Sequence, residues 1–183
     1  MSARFADLHI HTYYSDGTMS PEEVVRAAKD FGLECIAIAD HDTVDGLAPA
    51  KVSAVDAGIE VINGVELSSE HQGKDIHILG YCFELDPDRS PLVRKLKELQ
   101  QARMERMKKM LLKLNTMGIK DISLEDVCGQ THSDAVGRLH LAKLLVARGH
   151  VSSLDQAFEK YLAEGASAYF AKFPQPPAEA IRL

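Results

Sequence analysis

The sequence predicts an α/β fold of repeated βα units that carries a helical subdomain. Three observations predict it. Through about Phe83, short apolar runs of strand length alternate with capped segments of helix length. From Ser90 to about Met117 the pattern changes to one long, highly charged helix, and shorter helical segments follow it. Residues with ligand chemistry stand at or near the ends of the apolar runs, which is where sites gather in parallel α/β sheets.

Arg4 to His11 reads as the first strand. Ser20-Pro21-Glu22-Glu23 is a capping box with Pro at the first helical position, so a helix runs to about Phe31 and Gly32 ends it. Glu34 to Ala39 is a short buried strand. Gly46 to Ala57 is a helix ended by Gly58. Ile59 to Leu67 and Asp75 to Phe83 are two more strands, and the repeated βα units imply a mainly parallel sheet. The long helix carries Leu96, Leu99, Met107, Met110, Leu114 and Met117 at three- and four-residue spacing, a core or subdomain stripe. Ser123 starts a short helix, Arg138 to Arg148 forms another, and Ser153 caps a third that runs to about Leu162. A return to the first architecture begins at Gln175-Pro176-Pro177, and Ala178 starts one more helix.

A chain of 183 residues is long enough to bury a substantial core, and 45% hydrophobic with 26% charged residues is ordinary for a globular protein. No apolar stretch is long enough to span a bilayer, and the N-terminus lacks a signal-peptide apolar region. Cys35, Cys82 and Cys128 are widely spaced, which fits free thiols in a reducing, cytoplasmic compartment. The formal charge of -6 argues against a broad basic surface for extended double-stranded nucleic acid, and leaves room for a local basic pocket.

The segment Asp7-Leu8-His9-Ile10-His11 places two histidines on one face of a strand, where they can share a metal ion. Asp16 follows in a loop beside Gly17. His41 sits in Ala39-Asp40-His41-Asp42-Thr43 after the second strand, and Glu66 and His77 belong to the next two. Imidazole and carboxylate donors together suit zinc, manganese or iron. A competing reading accompanies each residue. His9 and His11 could make ordinary hydrogen bonds, Glu66 could be a solvated strand-end residue, and His77 could be a core histidine. Asp40 or Asp42 could orient the His41 imidazole, while Asp42 or Thr43 could cap the next helix. Arg138 and His140 lie in Gly137-Arg138-Leu139-His140-Leu141-Ala142, and an Arg at a helix start suits a phosphate. The alternative there is a surface Arg with a capping His. His71, His132 and His150 suggest no partners and are expected to be exposed.

With those residues in view, the chain resembles the PHP family, the polymerase and histidinol phosphatase metal-dependent phosphoesterases. DLHIHTYYSDG resembles the family's first motif, AIADHDTVDG its second, and GVELSSEHQGKDIHILGY the segment with its bridging Glu and next His. The likeness covers nearly the whole chain. It is strongest to the stand-alone bacterial branch that includes nucleoside 3',5'-bisphosphate phosphatase, also called ribonuclease AM, through the GRxHxA-like segment. The resemblance implies a distorted (βα)7 barrel with two to three divalent ions, Mn, Zn, Fe or Mg. It implies that His9, His11 and Glu66 hold one ion, that Glu66 bridges to a second held also by His77, and that Asp16 and His41 hold a third. It further implies that a metal-activated hydroxide attacks phosphorus while Arg138 and His140 bind a substrate phosphate. The implied substrate is a small phosphate ester, a 3',5'-bisphosphonucleotide or a short RNA 5' end.

Family members continue beyond the position of Leu183 with a His-Pro pair and a later Asp-x-His, which add one ligand to each metal. The expected organisation is therefore a barrel incomplete at the C-terminus. Residues 1–89 form its N-terminal part, 90–168 a helical insertion, and 169–183 the start of a return. Weak or partial metal occupancy and little activity are expected of this stretch by itself. Histidinol-phosphate phosphatase and a non-catalytic PHP module are the alternative functions, and the GRxHxA-like segment favours the nucleotide branch.

Overall fold

The structure is a computed structural model that describes residues 5–86, 90–173 and 175–183. Arg4, the expected start of the first strand, and position 89, the expected end of the first part, lie outside the described residues. The chain divides into two compact units, Met1–Glu98 with Pro174–Leu183, and Leu99–Phe173. The division falls inside the long helix, not at its start.

In the first unit, β1 (Ala6–Ile10), β2 (Cys35–Ile38), β3 (Glu60–His71) and β4 (Lys74–Tyr81) form one sheet in the order β1-β2-β3-β4. Helices α1 (Pro21–Asp30) and α2 (Leu47–Ala57) make the crossovers. Ser20 opens α1 through the expected capping box: its side chain accepts from the Glu23 amide at 3.1 Å, and the Glu23 carboxylate accepts from the Ser20 amide at 2.8 Å. Val24, Val25 and Ala28 of α1, Ile36 and Ile38 of β2, and Leu47, Ala50 and Ala54 of α2 are buried together. Each of the larger aliphatics among them contributes roughly 1.5–3 kcal/mol on full burial.

The pairs β1–β2 and β2–β3 are parallel, as expected, but β3–β4 is antiparallel, from Gly64 opposite Tyr81 to His71 opposite Lys74. The cause is a two-residue turn. Gln72 and Gly73 both have left-handed φ, 51° and 78°, the geometry that closes a tight hairpin and leaves no room for a helical crossover. Ser68 to Gly73 reads as a polar loop in sequence, yet β3 runs through it to His71. The Tyr81 hydroxyl donates to the Leu8 carbonyl at 2.8 Å, so the two outer strands of the order meet.

The second unit is helical. Helix α3 (Pro91–Thr116) enters it, followed by α4 (Leu124–Cys128), α5 (Arg138–Ala147) and α6 (Leu154–Ala157). The expected third helix does not stay α-helical. Past α6 the chain widens into a π turn over Phe158–Leu162. Met107, Met110 and Leu114 of α3 pack with Leu141 and Leu145 of α5 and with Leu162. Met117 departs from the expected stripe: it lies beyond the last turn of α3 and is exposed. His150, for which sequence suggests no partner, pairs with Asp121 at 2.8 Å. Finally α7 (Pro177–Ala180) belongs to the first unit, where the Gln175 carbonyl accepts from the Glu70 amide at 2.9 Å. Among the described residues no helix is long and apolar enough to cross a membrane.

Candidate metal centre

Glu66 is the hub of the site. It is 4% exposed and lies inside β3, not at its end as the sequence suggests. It nevertheless stands level with the end of β2, because the backbone pairs His41 with Glu66 in an isolated parallel bridge. The Glu66 amide donates to the Asp40 carbonyl at 3.1 Å and the Asp42 amide donates to the Glu66 carbonyl at 3.0 Å. His77 points from the middle of β4, opposite Ser68, on the strand that the hairpin turn brings back beside β3. The shared face of β1 then supplies His9, and the chain just past β1 supplies His11 and Asp16.

All six residues come together. His9 Nε2 lies 2.6 Å and His11 Nε2 3.0 Å from Glu66 Oε2, and His77 Nδ1 lies 2.5 Å from Oε1. His41 Nδ1 is 3.8 Å from Glu66 Oε2, and its Nε2 is 3.6 Å from Asp16 Oδ2. Asp16 Oδ1 is 3.6 Å from His11 Nδ1. Burial acts to raise the Glu66 carboxyl, but the His9 hydrogen bond and the charges of His41, His77 and His11 outweigh it and hold the group below its ordinary value.

The donor set fits divalent cations. His9 with His11 and Glu66, His11 with Asp16 and His41, and His41 with Glu66 and His77 each bring three ligand atoms within 4.8 Å of one another. His9 Nε2 and His11 Nε2 approach to 3.1 Å and converge on the same carboxylate oxygen, an arrangement suited to a shared cation. The grouping is denser than the resemblance implies, since His11 and His41 each take part in two of the three sets.

Asp40 and Asp42 hold backbone in place. Asp40 is 1% exposed, and its carboxylate accepts from the Thr12 amide at 2.7 Å, the Thr12 hydroxyl at 2.6 Å and the Ser15 hydroxyl at 2.5 Å. Burial pushes this carboxyl up, while the Ser15 and Thr12 hydrogen bonds pull against it. The loop that carries His11 and Asp16 is thereby fixed to the end of β2. Asp42, at a left-handed φ of 52°, accepts from the Ser68 amide at 2.8 Å. The helix-capping alternative fails for Asp42 and Thr43, because α2 starts at Leu47 after Gly46 with no side-chain cap. Sequence reasoning missed Thr12 and Ser15, whose only signal is their position beside His11 and Asp16.

Gly17 closes this loop against its own start. A Cβ there would lie 2.5 Å from the His11 carbonyl oxygen and 2.7 Å from its carbon, both backbone atoms. Gly17→Ala is expected to cost about 1–3 kcal/mol of stability in urea denaturation, since backbone cannot swing aside as a side chain can.

Arg138 and His140 belong to the second unit. Arg138 opens α5, donates to the Leu162 carbonyl at 3.2 Å and lies 5.8 Å from both the Phe158 and Tyr169 rings. His140 is 1% exposed, and its Nδ1 accepts from the Gly137 amide at 2.9 Å, a geometry that favours the capping reading for this histidine.

The chain is similar to the 5'-3' exoribonuclease of Haemophilus influenzae, 37% identical over 164 residues, covering 89% of this chain and 58% of that protein. It is similar to the 3',5'-nucleoside bisphosphate phosphatase of Chromobacterium violaceum, 34% identical over 163 residues, covering 89% of this chain and 56% of that protein. A solved structure of an amidohydrolase from Chromobacterium violaceum, with bound sulfate and no metal, superposes with a TM-score of 0.86 at 31% identity, covering 97% of this chain and 62% of that one. The chain thus spans between half and two thirds of the length of these relatives. The PHP domain matches residues 7–170, a span that holds every residue of the cluster, and the chain belongs to the PHP domain family.

Proposed function

We propose that the protein is a metal-dependent phosphoesterase that hydrolyses a phosphate ester of a nucleotide, a 3',5'-bisphosphonucleotide or the 5' end of a short RNA. The observation that carries this reading is the convergence of His9, His11 and His77 on the Glu66 carboxylate within 3.0 Å, with His41 and Asp16 beside them. The names of the relatives supply the nucleotide. His9, His11 and Glu66 would hold one ion, His77 would share Glu66 with a second, and Asp16 and His41 would hold a third. Bound there, manganese, zinc, iron or magnesium supplies Lewis-acid charge stabilisation and lowers the pKa of a water nucleophile.

The chain's own residues do the rest. The imidazoles must be neutral to donate, so protons compete with metal for them. Asp40 keeps the His11–Asp16 loop in register, and Glu66 supplies the buried negative charge. Arg138 would bind a phosphate that is not transferred, through its guanidinium fork at the start of α5. Arg138→Ala is expected to raise KM about tenfold with little change in kcat, since that contact serves ground and transition states alike. Steady-state kinetics would check it, with Arg138→Lys giving partial rescue. A fall confined to kcat would contradict the role.

The test of the function has two arms. Titration calorimetry of the EDTA-treated chain with manganese should show saturable binding that His11→Ala abolishes. Phosphate release from a nucleoside 3',5'-bisphosphate should require added metal. No saturable binding of any of the four metals, or binding unchanged in His11→Ala, would overturn the reading.

A further inference from the structure

We propose that the helical unit carries its own groove for a single-stranded oligonucleotide, formed where Arg106 and Lys109 of α3 face Lys172 and Phe173. The inference rests on the reading of the protein as one that acts on nucleotides, and it adds a binding site outside the metal centre.

Charge is the first argument. The chain as a whole carries -6, yet α3 alone holds eight Lys and Arg against two Glu. Positive charge is therefore gathered on one helix of an acidic protein, which suits a local polyanion site and not a broad duplex footprint. A groove of about 240 Å³ opens on this helix, lined by Glu105, Arg106, Lys109, Phe170, Lys172 and Phe173. Glu105 is its acidic member, and Lys108 neutralises it at 2.6 Å.

The aromatic wall is the second argument. Arg106 Nε donates to the Phe170 carbonyl at 2.7 Å, with its guanidinium 5.7 Å from the Tyr169 ring. Lys113 Nζ donates to the Tyr169 carbonyl at 3.0 Å and lies 4.4 Å from the Phe170 ring. Two cations thus clamp the aromatic segment against α3. Phe173 remains 55% exposed at the rim, and Lys109 is exposed on the helix. Cations that track a backbone beside an aromatic face on which a base stacks are the recognition chemistry of single strands, indifferent to sequence. The groove is smaller than the roughly 300–1,000 Å³ of a site that encloses a whole small molecule. It suits a nucleotide within a longer strand.

The experiment is fluorescence anisotropy with labelled hexa-adenylate in EDTA, which removes metal and prevents cleavage. Wild type should bind, and a duplex of equal length should bind more weakly. Phe173→Ala should weaken hexa-adenylate binding about tenfold, in line with the loss of one base–aromatic stack. Lys109→Glu should weaken it at least as much and flatten the salt dependence by about 0.7 in log–log slope for each phosphate no longer neutralised. Lys51→Glu, an equal charge reversal on an exposed residue of α2, should bind as wild type. Absence of binding by wild type, equal binding of the duplex, unchanged binding in both groove variants, or an equal loss in Lys51→Glu would each overturn the groove. None of those outcomes touches the phosphoesterase reading. Conversely, groove-dependent binding by a chain that binds none of the four metals saturably would overturn that reading and leave the groove standing.

Discussion

Glu66→Gln is expected to abolish metal-dependent phosphate release, with a fall of about a thousandfold, or ~4 kcal/mol of transition-state stabilisation. The Glu66 carboxylate lies within 3.0 Å of His9, His11 and His77 and takes part in two of the three ligand sets. Glutamine keeps the size but removes the charge, and its amide nitrogen cannot act as a donor to a cation. Two sets lose their shared anion at once, and three imidazoles remain around a neutral group. Manganese binding should weaken by more than a hundredfold, beyond the 10–100-fold typical of residues that only support a ligand. Calorimetry with manganese, together with phosphate release at saturating metal, checks both parts. Wild-type affinity in Glu66→Gln would show that the carboxylate is not a ligand.

Asp40→Ala should be the most destabilising substitution around the centre. Its carboxylate satisfies the Thr12 amide, the Thr12 hydroxyl and the Ser15 hydroxyl, all in a site where Asp40 is 1% exposed. Alanine removes the buried acceptor that all three donors share, at a cost of about 3–5 kcal/mol. That is a large share of the ~5–15 kcal/mol by which a domain is stable. Asp40→Asn separates the charge from the hydrogen bonds. Its amide oxygen can still accept from the Thr12 amide and Ser15, and the Thr12 hydroxyl can turn to accept from the amide nitrogen. The asparagine form is expected to lose only about 1–2 kcal/mol. Urea denaturation in EDTA would rank the two, and equal losses would show that the hydrogen bonds to Thr12 and Ser15 are not what Asp40 contributes.

Features written in short stretches of chain were legible in the sequence. Ser20 and Glu23 are three residues apart and make the capping box that their spacing predicts. His9 and His11 meet as their two-residue spacing predicts, although β1 ends at Ile10 and His11 lies just past it. What escaped depends on partners far along the chain. Asp40 flanks His41 in sequence, yet it serves Thr12, 28 residues earlier, and Ser15, 25 residues earlier. Asp121 and His150, 29 residues apart, carry no pattern that links them. The β3–β4 hairpin escaped for another reason. Ser68 to His71 has the polarity of a loop, and only tertiary burial of Ser68 and Ser69 makes strand of it.

The residues around Glu66 all lie between His9 and His77, whereas the first compact unit also takes in positions 174–183, which follow the helical unit in sequence. During synthesis at roughly 5–20 residues per second, several seconds separate the emergence of His77 from that of α7. Throughout that interval the nascent chain already holds all six residues of the cluster. Metal capture by these residues can therefore precede the arrival of positions 174–183. The ion that the protein keeps would then be set as much by what is abundant beside the ribosome as by equilibrium preference, and refolding the purified chain in a different metal should yield a different occupant.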